Sequence, residues 1–251
     1  MNHRLFWTLD HFRKVNLPVV VGSLRGTSTF SAPMGMRGVL DMPIYMPSQG
    51  WKVPIILQQF LEMVILATQH EAKVNSSWAD GYVYLTVDQK PAMPGIPHRR
   101  AGFHGDGFVP DRDGIQQDIT SENVKILRQM ECLPAERTYI CCDMLPTAFV
   151  PGPFTVPMDI AEHEALPIFD EEAKNMPVIT YGEYNVLCLT PFDIHASVPN
   201  NTGDVLDRTF CKVSFSRFQF NREGNTRNIM FDYNWQMKSR DTDKRNCQYT
   251  W

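Results

Sequence analysis

Arg99-Arg100-Ala101-Gly102-Phe103-His104-Gly105-Asp106-Gly107-Phe108-Val109 is the stretch on which the reading of this chain turns. It has the character of a strand, and in a strand the side chains at i and i+2 stand on one face. His104 and Asp106 then stand side by side, with Gly105 between them adding no bulk. An imidazole and a carboxylate so placed supply two adjacent ligands to a divalent metal. Composition alone yields about half an occurrence of His-x-Asp in such a chain, so the pair gains weight only from its company.

That company lies downstream. His195, in Leu189-Thr190-Pro191-Phe192-Asp193-Ile194-His195-Ala196, sits in a later strand-like segment, as expected if distant strands are brought together. Two histidines and one carboxylate make a facial triad that leaves the opposite coordination positions open, an arrangement suited to non-haem Fe(II). Arg208 follows His195 across the turn Pro199-Asn200-Asn201-Thr202-Gly203-Asp204 and opens a long strand, Arg208 to Phe220. Its planar guanidinium can pair in a bidentate manner with the far carboxylate of a chelating dicarboxylic acid. Lys212 and Ser214 share its strand face and Arg217 lies on the other.

Eighteen prolines and fifteen glycines cut the chain into short pieces rich in Val, Ile, Phe, Tyr and Thr. Strands are expected around Pro18 to Gly22, Gly81 to Asp88, Gly102 to Val109, Val124 to Met130, Arg137 to Asp143, Phe154 to Val156, Pro177 to Tyr181, Tyr184 to Thr190, Asp193 to Val198, Arg208 to Phe220 and Asn228 to Tyr233. One long helix is expected from Pro54 to about Ala72, with proline in the first turn, where its missing N–H costs nothing. It is apolar on much of its surface and should pack across the outside of a sheet. The acidic segment Asp159 to Lys174 reads as an inserted loop helix, and Lys238 to Gln248 as a frayed polar tail. Many strands and few helices imply a mainly β sandwich or barrel.

With 251 residues and no internal repeat or linker, one domain over 1–251 is expected. The longest apolar run, Val53 to Thr68, is broken by Gln58, Gln59 and Glu62 and falls short of the roughly 20 residues a bilayer demands. The N-terminus lacks the pattern of a secretory signal, so the cytoplasm is the expected location. A formal net charge of −4 disfavours a nucleic-acid partner and favours a small molecule. Oligomeric state stays open. The six cysteines, Cys132, Cys141, Cys142, Cys188, Cys211 and Cys247, show no C-x-x-C spacing and read as small buried hydrophobes.

At His104, Asp106, His195 and Arg208 the sequence resembles the Fe(II)- and 2-oxoglutarate-dependent oxygenase superfamily, whose pattern is His-x-Asp, a distal His and a following Arg. The resemblance extends over about Gly81 to Phe220. It implies a double-stranded β-helix, a cupin-like jelly-roll barrel, spanning about 81–221, with 1–80 as helical and strand support and 222–251 as an extension. It implies that His104, Asp106 and His195 bind iron and that Arg208 anchors the distal carboxylate of 2-oxoglutarate. The implied reaction consumes O2 and 2-oxoglutarate, releases succinate and CO2, and oxidises a C–H bond of the substrate. Many members carry Ser or Thr two residues after the Arg. Here that position is Phe210, which keeps Lys212 in play.

Two other readings remain open on the residues: a cupin-type metal enzyme needing no oxo-acid, and a non-catalytic binding module on the same scaffold. His98, Arg99 and Arg100 read either as contacts to an anionic substrate or as a solvated loop. His70 and His163 are each followed by Glu but lack the second His of a zinc-protease helix. Thr86, Tyr139 and Tyr184 either face the barrel interior near the co-substrate or pack as core. The aromatic pieces Phe231 to Trp235 and Tyr249 to Trp251 either cap the barrel or meet another subunit.

Overall fold

The computed structural model describes residues 12–24, 27–99, 101–106, 136–156, 162–237 and 239. Among these residues, ten strands form two antiparallel sheets. β1 (Val19–Ser23), β2 (Gly38–Met46), β3 (Gly50–Trp51), β4 (Tyr82–Ala92), β5 (Glu136–Cys142), β8 (Asn185–Leu189) and β10 (Leu206–Ser216) make a seven-stranded sheet in the order β1-β8-β5-β10-β4-β2-β3. β6 (Ala148–Phe149), β7 (Ile179–Thr180) and β9 (His195–Ala196) make a small sheet in the order β7-β6-β9, and His104 adds one bridge beside β9. From β4 onward the chain alternates between the sheets, crossing to the small one at His104, β6, β7 and β9. That alternation is consistent with a jelly-roll arrangement. Among the described residues no ladder joins the two sheets into a closed barrel.

Period-2 alternation on β10 shows how the layers form. Cys211, Val213 and Phe215 enter the largest core cluster with Leu57, Phe60, Met63, Val64 and Ala67. Phe210 faces the other way and joins Ile140, Cys142, Leu187, Leu189 and the small sheet's Phe149. The helix expected over Pro54 to Ala72 is a 3-10 segment, Ile55–Phe60, running into an α-helix at Leu61–Val74; a one-turn helix at Thr27–Phe30 (α1) precedes it, so the longer one is α2. It packs on the outer face of the large sheet, as its apolar stripe requires. α3 (Glu162–Ala173) covers the small sheet's outer side through Ala165, Phe169 and Ala173, one position per turn, against Phe12, Phe154, Phe192 and Ile194.

The sheet is wider than the sequence suggests, because β1, β2 and β3 of the N-terminal part all belong to it. β2 carries Asp41 with φ 43° at a break in its register with β4, and Pro43 just beyond. Those two residues depress β-propensity and hide an otherwise buried strand. Phe154 to Val156 is extended without a ladder and packs in the core beside α3. Asn228 to Tyr233 is a turn, not a strand: Asn228 donates through Nδ2 to Pro43 O and Lys52 O, 2.8 Å each, and so ties the segment side-on to β2. Trp235 beyond it packs on Tyr82 and Tyr84 and covers that end of the sheet. Gly102 to Val109 contributes only the His104 bridge among its described residues. The expected strand at Val124 to Met130, the tail from Lys238 to Gln248 apart from Ser239, and Tyr249 to Trp251 lie outside the described residues.

Cys141, Cys142, Cys188 and Cys211 are free and buried. Cys132 and Cys247 lie outside the described residues. No helix among the described residues is long and apolar enough to cross a membrane.

Candidate metal centre

His104 and His195 face each other across an antiparallel bridge. Each backbone N–H donates to the other's carbonyl at 2.9 Å, and the ring centroids are 4.7 Å apart. This fixes both α-carbons before any side-chain contact is considered. Two turns hold the approach to the bridge. Asp193 Oδ2 accepts from Thr190 N at 2.6 Å and from Thr190 Oγ1 at 2.8 Å, closing the loop that delivers His195. Asp170 Oδ1, on α3, accepts from Phe103 N at 2.6 Å immediately before His104.

The imidazoles are oriented in the same way. His104 Nδ1 bonds Gly102 O at 3.0 Å and His195 Nδ1 bonds Asp193 O at 2.8 Å. A carbonyl only accepts, so in both rings Nδ1 carries the proton and Nε2 keeps its lone pair, the tautomer a metal requires. Asp106 completes the group: the ligand atoms of His104, Asp106 and His195 all lie within 4.8 Å of one another. Gly105 is needed for this geometry, since a Cβ there would sit 2.4 Å from Pro191 O and 3.2 Å from Ile194 Cδ1. His195 is buried, the other two half-buried. Two neutral imidazoles and one carboxylate suit a borderline divalent ion such as Fe(II) better than a hard oxygen-seeking cation. The residues present therefore fit the metal that the sequence pattern implies.

Arg208 lies on the inner face of the large sheet at 2% exposure. Its Nε donates to Met144 O at 2.9 Å, one terminal nitrogen donates to Leu145 O at 3.0 Å, and the other meets His98 Nδ1 at 2.9 Å. His98 Nε2 in turn bonds Lys90 O at 3.0 Å, so Nε2 is the protonated nitrogen and Nδ1 the acceptor. Burial first, then the Arg208 charge, pushes the His98 pKa down to about 4. Burial also lowers the Arg208 pKa, with Cys142 and Asp143 opposing and Arg99 reinforcing. Among the described residues no carboxylate lies within ion-pairing distance of Arg208. Lys212, two strand positions beyond Phe210, differs in this respect. Its Nζ lies 3.4 Å from Asp41 Oδ1, and Thr86 Oγ1 donates to the same oxygen at 3.0 Å while accepting from Asp41 N at 2.9 Å.

The other residues singled out from the sequence separate cleanly. Thr86 faces inward, in the Asp41 cluster. Tyr139 and Tyr184 pack in the core under α2: the Tyr139 hydroxyl donates to Glu71 Oε2 at 2.8 Å and meets His70 Nδ1 at 2.9 Å, and Tyr184 packs edge-on against Phe30. They lie across the large sheet from Phe210 and Arg208. Arg217 is exposed and donates to Ser77 Oγ at 2.6 Å. His98 is 4% exposed, which overturns the solvated-loop reading for that residue, and Arg99 stacks with Cζ 4.3 Å from the Phe210 ring centroid. Arg100 lies outside the described residues. Sequence reasoning missed Asp170 and Asp193 as positioning residues. For Asp193 the signal was present, in a Thr-Pro-Phe-Asp turn two residues before a histidine.

No family model and no curated protein matches this chain. Among solved structures, AviO1 from Streptomyces viridochromogenes Tue57 is 15% identical over 86% of this chain and 96% of its own, with a TM-score of 0.39. EvdO2 from Micromonospora carbonacea var. aurantiaca, complexed with 2-oxoglutarate, is 11% identical with a TM-score of 0.38, and the match covers 64% of each chain. ThoJ, a non-heme monooxygenase in complex with nickel, is 14% identical over 83% of this chain and 76% of its own, with a TM-score of 0.36. Likeness of this degree assigns neither a reaction nor a substrate to this chain.

Proposed function

We propose that the chain is an Fe(II)- and 2-oxoglutarate-dependent oxygenase of a small molecule, with His104, Asp106 and His195 as metal ligands. The observation that carries this reading is the convergence of those three side chains, with each imidazole held through Nδ1 by a backbone carbonyl. When bound, Fe(II) supplies the coordination positions at which 2-oxoglutarate and O2 react to give succinate, CO2 and an oxidised C–H bond.

The protein's own contribution is positional. The bridge between residues 104 and 195 sets the spacing of the imidazoles, and Gly102 O and Asp193 O fix their tautomers. Phe149, whose ring centroid lies 5.8 Å from that of His195, and the neighbouring Phe210 cluster make a dry wall beside the ligands. Arg208 is the preferred anchor for the distal carboxylate of 2-oxoglutarate. Among the described residues this buried cation is bonded to neutral groups, which is costly, and an incoming carboxylate removes that cost. Lys212 is already matched by Asp41, which makes it the weaker alternative.

The test is succinate release from 2-oxoglutarate under air, with and without Fe(II). Iron-dependent succinate, absent in His104→Ala, with the 2-oxoglutarate KM raised at least about tenfold in Arg208→Gln, is the expected result. Succinate formation no greater than that of His104→Ala contradicts the proposal.

A further inference from the structure

An open cavity of about 530 Å³ lies along β2 and β4, bordered by the segment that carries Arg99 and by Thr226. Its lining is electrically lopsided. Among the described residues Arg37, Lys90 and Arg99 face a single carboxylate, Asp88, which lies 3.3 Å from Lys90 Nζ and 4.0 Å from an Arg99 terminal nitrogen. The lining thus carries a surplus of positive charge in a protein whose net charge is −4. A concave surface of one sign concentrates ligands of the other.

The donors are arranged for recognition. The Arg99 guanidinium lies over the Phe210 ring, its Cζ 4.3 Å from the centroid, while one terminal nitrogen is 4.0 Å from Asp88 Oδ2, so the head group is held from two sides at the cavity. Thr226 Oγ1 accepts from Leu40 N at 2.9 Å, a bond that leaves the hydroxyl proton available as a donor. The cavity also has a fixed relation to the metal ligands. Arg99 N donates to Ser197 Oγ at 3.3 Å, and Ser197 stands two residues beyond His195. At strand spacing this puts the Arg99 backbone roughly 7 Å along the chain direction from that ligand.

We infer that this cavity binds the anionic group of the small-molecule substrate, a carboxylate or phosphate, through Arg99 with Lys90 and Arg37 in support, and so holds the carbon to be oxidised toward His195. The assignment of this ligand as substrate rests on the oxygenase reading above; the anion site itself does not. Lys90 pairs across strands with Arg208, and Asp88 with Phe210, so the cavity adjoins the Arg208 pocket, and the two divide the work: Arg208 for the co-substrate, the cavity's cations for the substrate.

The test is thermal stabilisation of the full chain by inorganic phosphate and, separately, by acetate, against sodium chloride at matched ionic strength. Saturable stabilisation by either anion, weakened at least about tenfold in both Arg99→Gln and Arg37→Gln and undiminished by saturating 2-oxoglutarate, is expected. The anion with the stronger effect names the substrate's group. Three results overturn the inference: no response beyond chloride, an unchanged response in the two variants, or displacement by 2-oxoglutarate, which would make this the co-substrate's own site. The titration needs no iron, so anion binding that persists while succinate formation fails removes only the oxygenase reading. Succinate formation without anion binding removes only this inference.

Discussion

His104 and His195 are hydrogen-bonded to each other through their backbones, and the protein orients each ring by the carbonyl two residues before it: Gly102 O for one, Asp193 O for the other. The metal binding proposed for the site therefore depends on main-chain geometry near both residues as much as on the three side chains.

Gly105 is the most sensitive point of that geometry. A methyl group at this position meets Pro191 O at 2.4 Å, so the two strands must separate to admit it. Gly105→Ala is expected to keep the core under α2 and lose bound divalent metal. Metal content after reconstitution with Fe(II), together with the loss of metal-induced thermal stabilisation, checks this. A variant that retains one equivalent of metal with wild-type affinity contradicts it.

Asp193 acts on His195 through the turn it closes. Burial pushes its carboxyl pKa up, against the opposing hydrogen bonds from Thr190. Asp193→Ala removes both Thr190 bonds and frees the loop. Metal affinity is expected to fall about 10- to 100-fold, while Asp193→Asn, which keeps an acceptor, recovers most of it. Calorimetric titration with a divalent metal compares the three proteins.

The sequence made the triad legible because a His-x-Asp pair, a later histidine and a following arginine have characteristic spacing, and spacing survives whatever the intervening chain does. β4, β5, β8 and β10 were equally readable from their runs of Val, Ile, Tyr and Phe. β2 was not, since Asp41, Pro43 and its methionines blur its pattern although most of its length is buried. Asn228 to Tyr233 misled in the opposite sense, its aromatics packing from a turn that side-chain bonds hold in place. What one sequence does not carry is which cation keeps a carboxylate partner. The separation of Arg208 from Lys212 depends on Asp41, which a register break in β2 swings toward Lys212.

His98 makes acid stability a report on the Arg208 pocket. Its pKa in the folded protein is about 4, below the ordinary 6.5, so the unfolded chain takes up the proton first as pH falls. The resulting stability is whole above about pH 6.5 and is lost as pH falls toward 4. Between pH 7 and pH 5 the wild type is expected to lose more unfolding free energy in urea than His98→Gln, whose amide does not titrate. Equal losses contradict the assignment.

Glu71 secures α2 to the sheet. It is 1% exposed, lies 3.2 Å from Arg137 Nε and accepts from Tyr139 and Asn75. Glu71→Ala leaves Arg137 buried without its carboxylate and is expected to cost about 3–5 kcal/mol. Replacing both partners with apolar residues should restore much of that. Chemical denaturation of the single and double variants measures the difference.

The central claim is that three side chains hold one ferrous ion in a form that chelates an oxo-diacid. Anaerobic titration with Fe(II) and 2-oxoglutarate tests it most directly. A charge-transfer absorption that requires both components, saturates at one iron per chain and vanishes in His104→Ala and His195→Ala is the expected result. A wild-type protein that stays colourless, or variants that keep the full band, would contradict it.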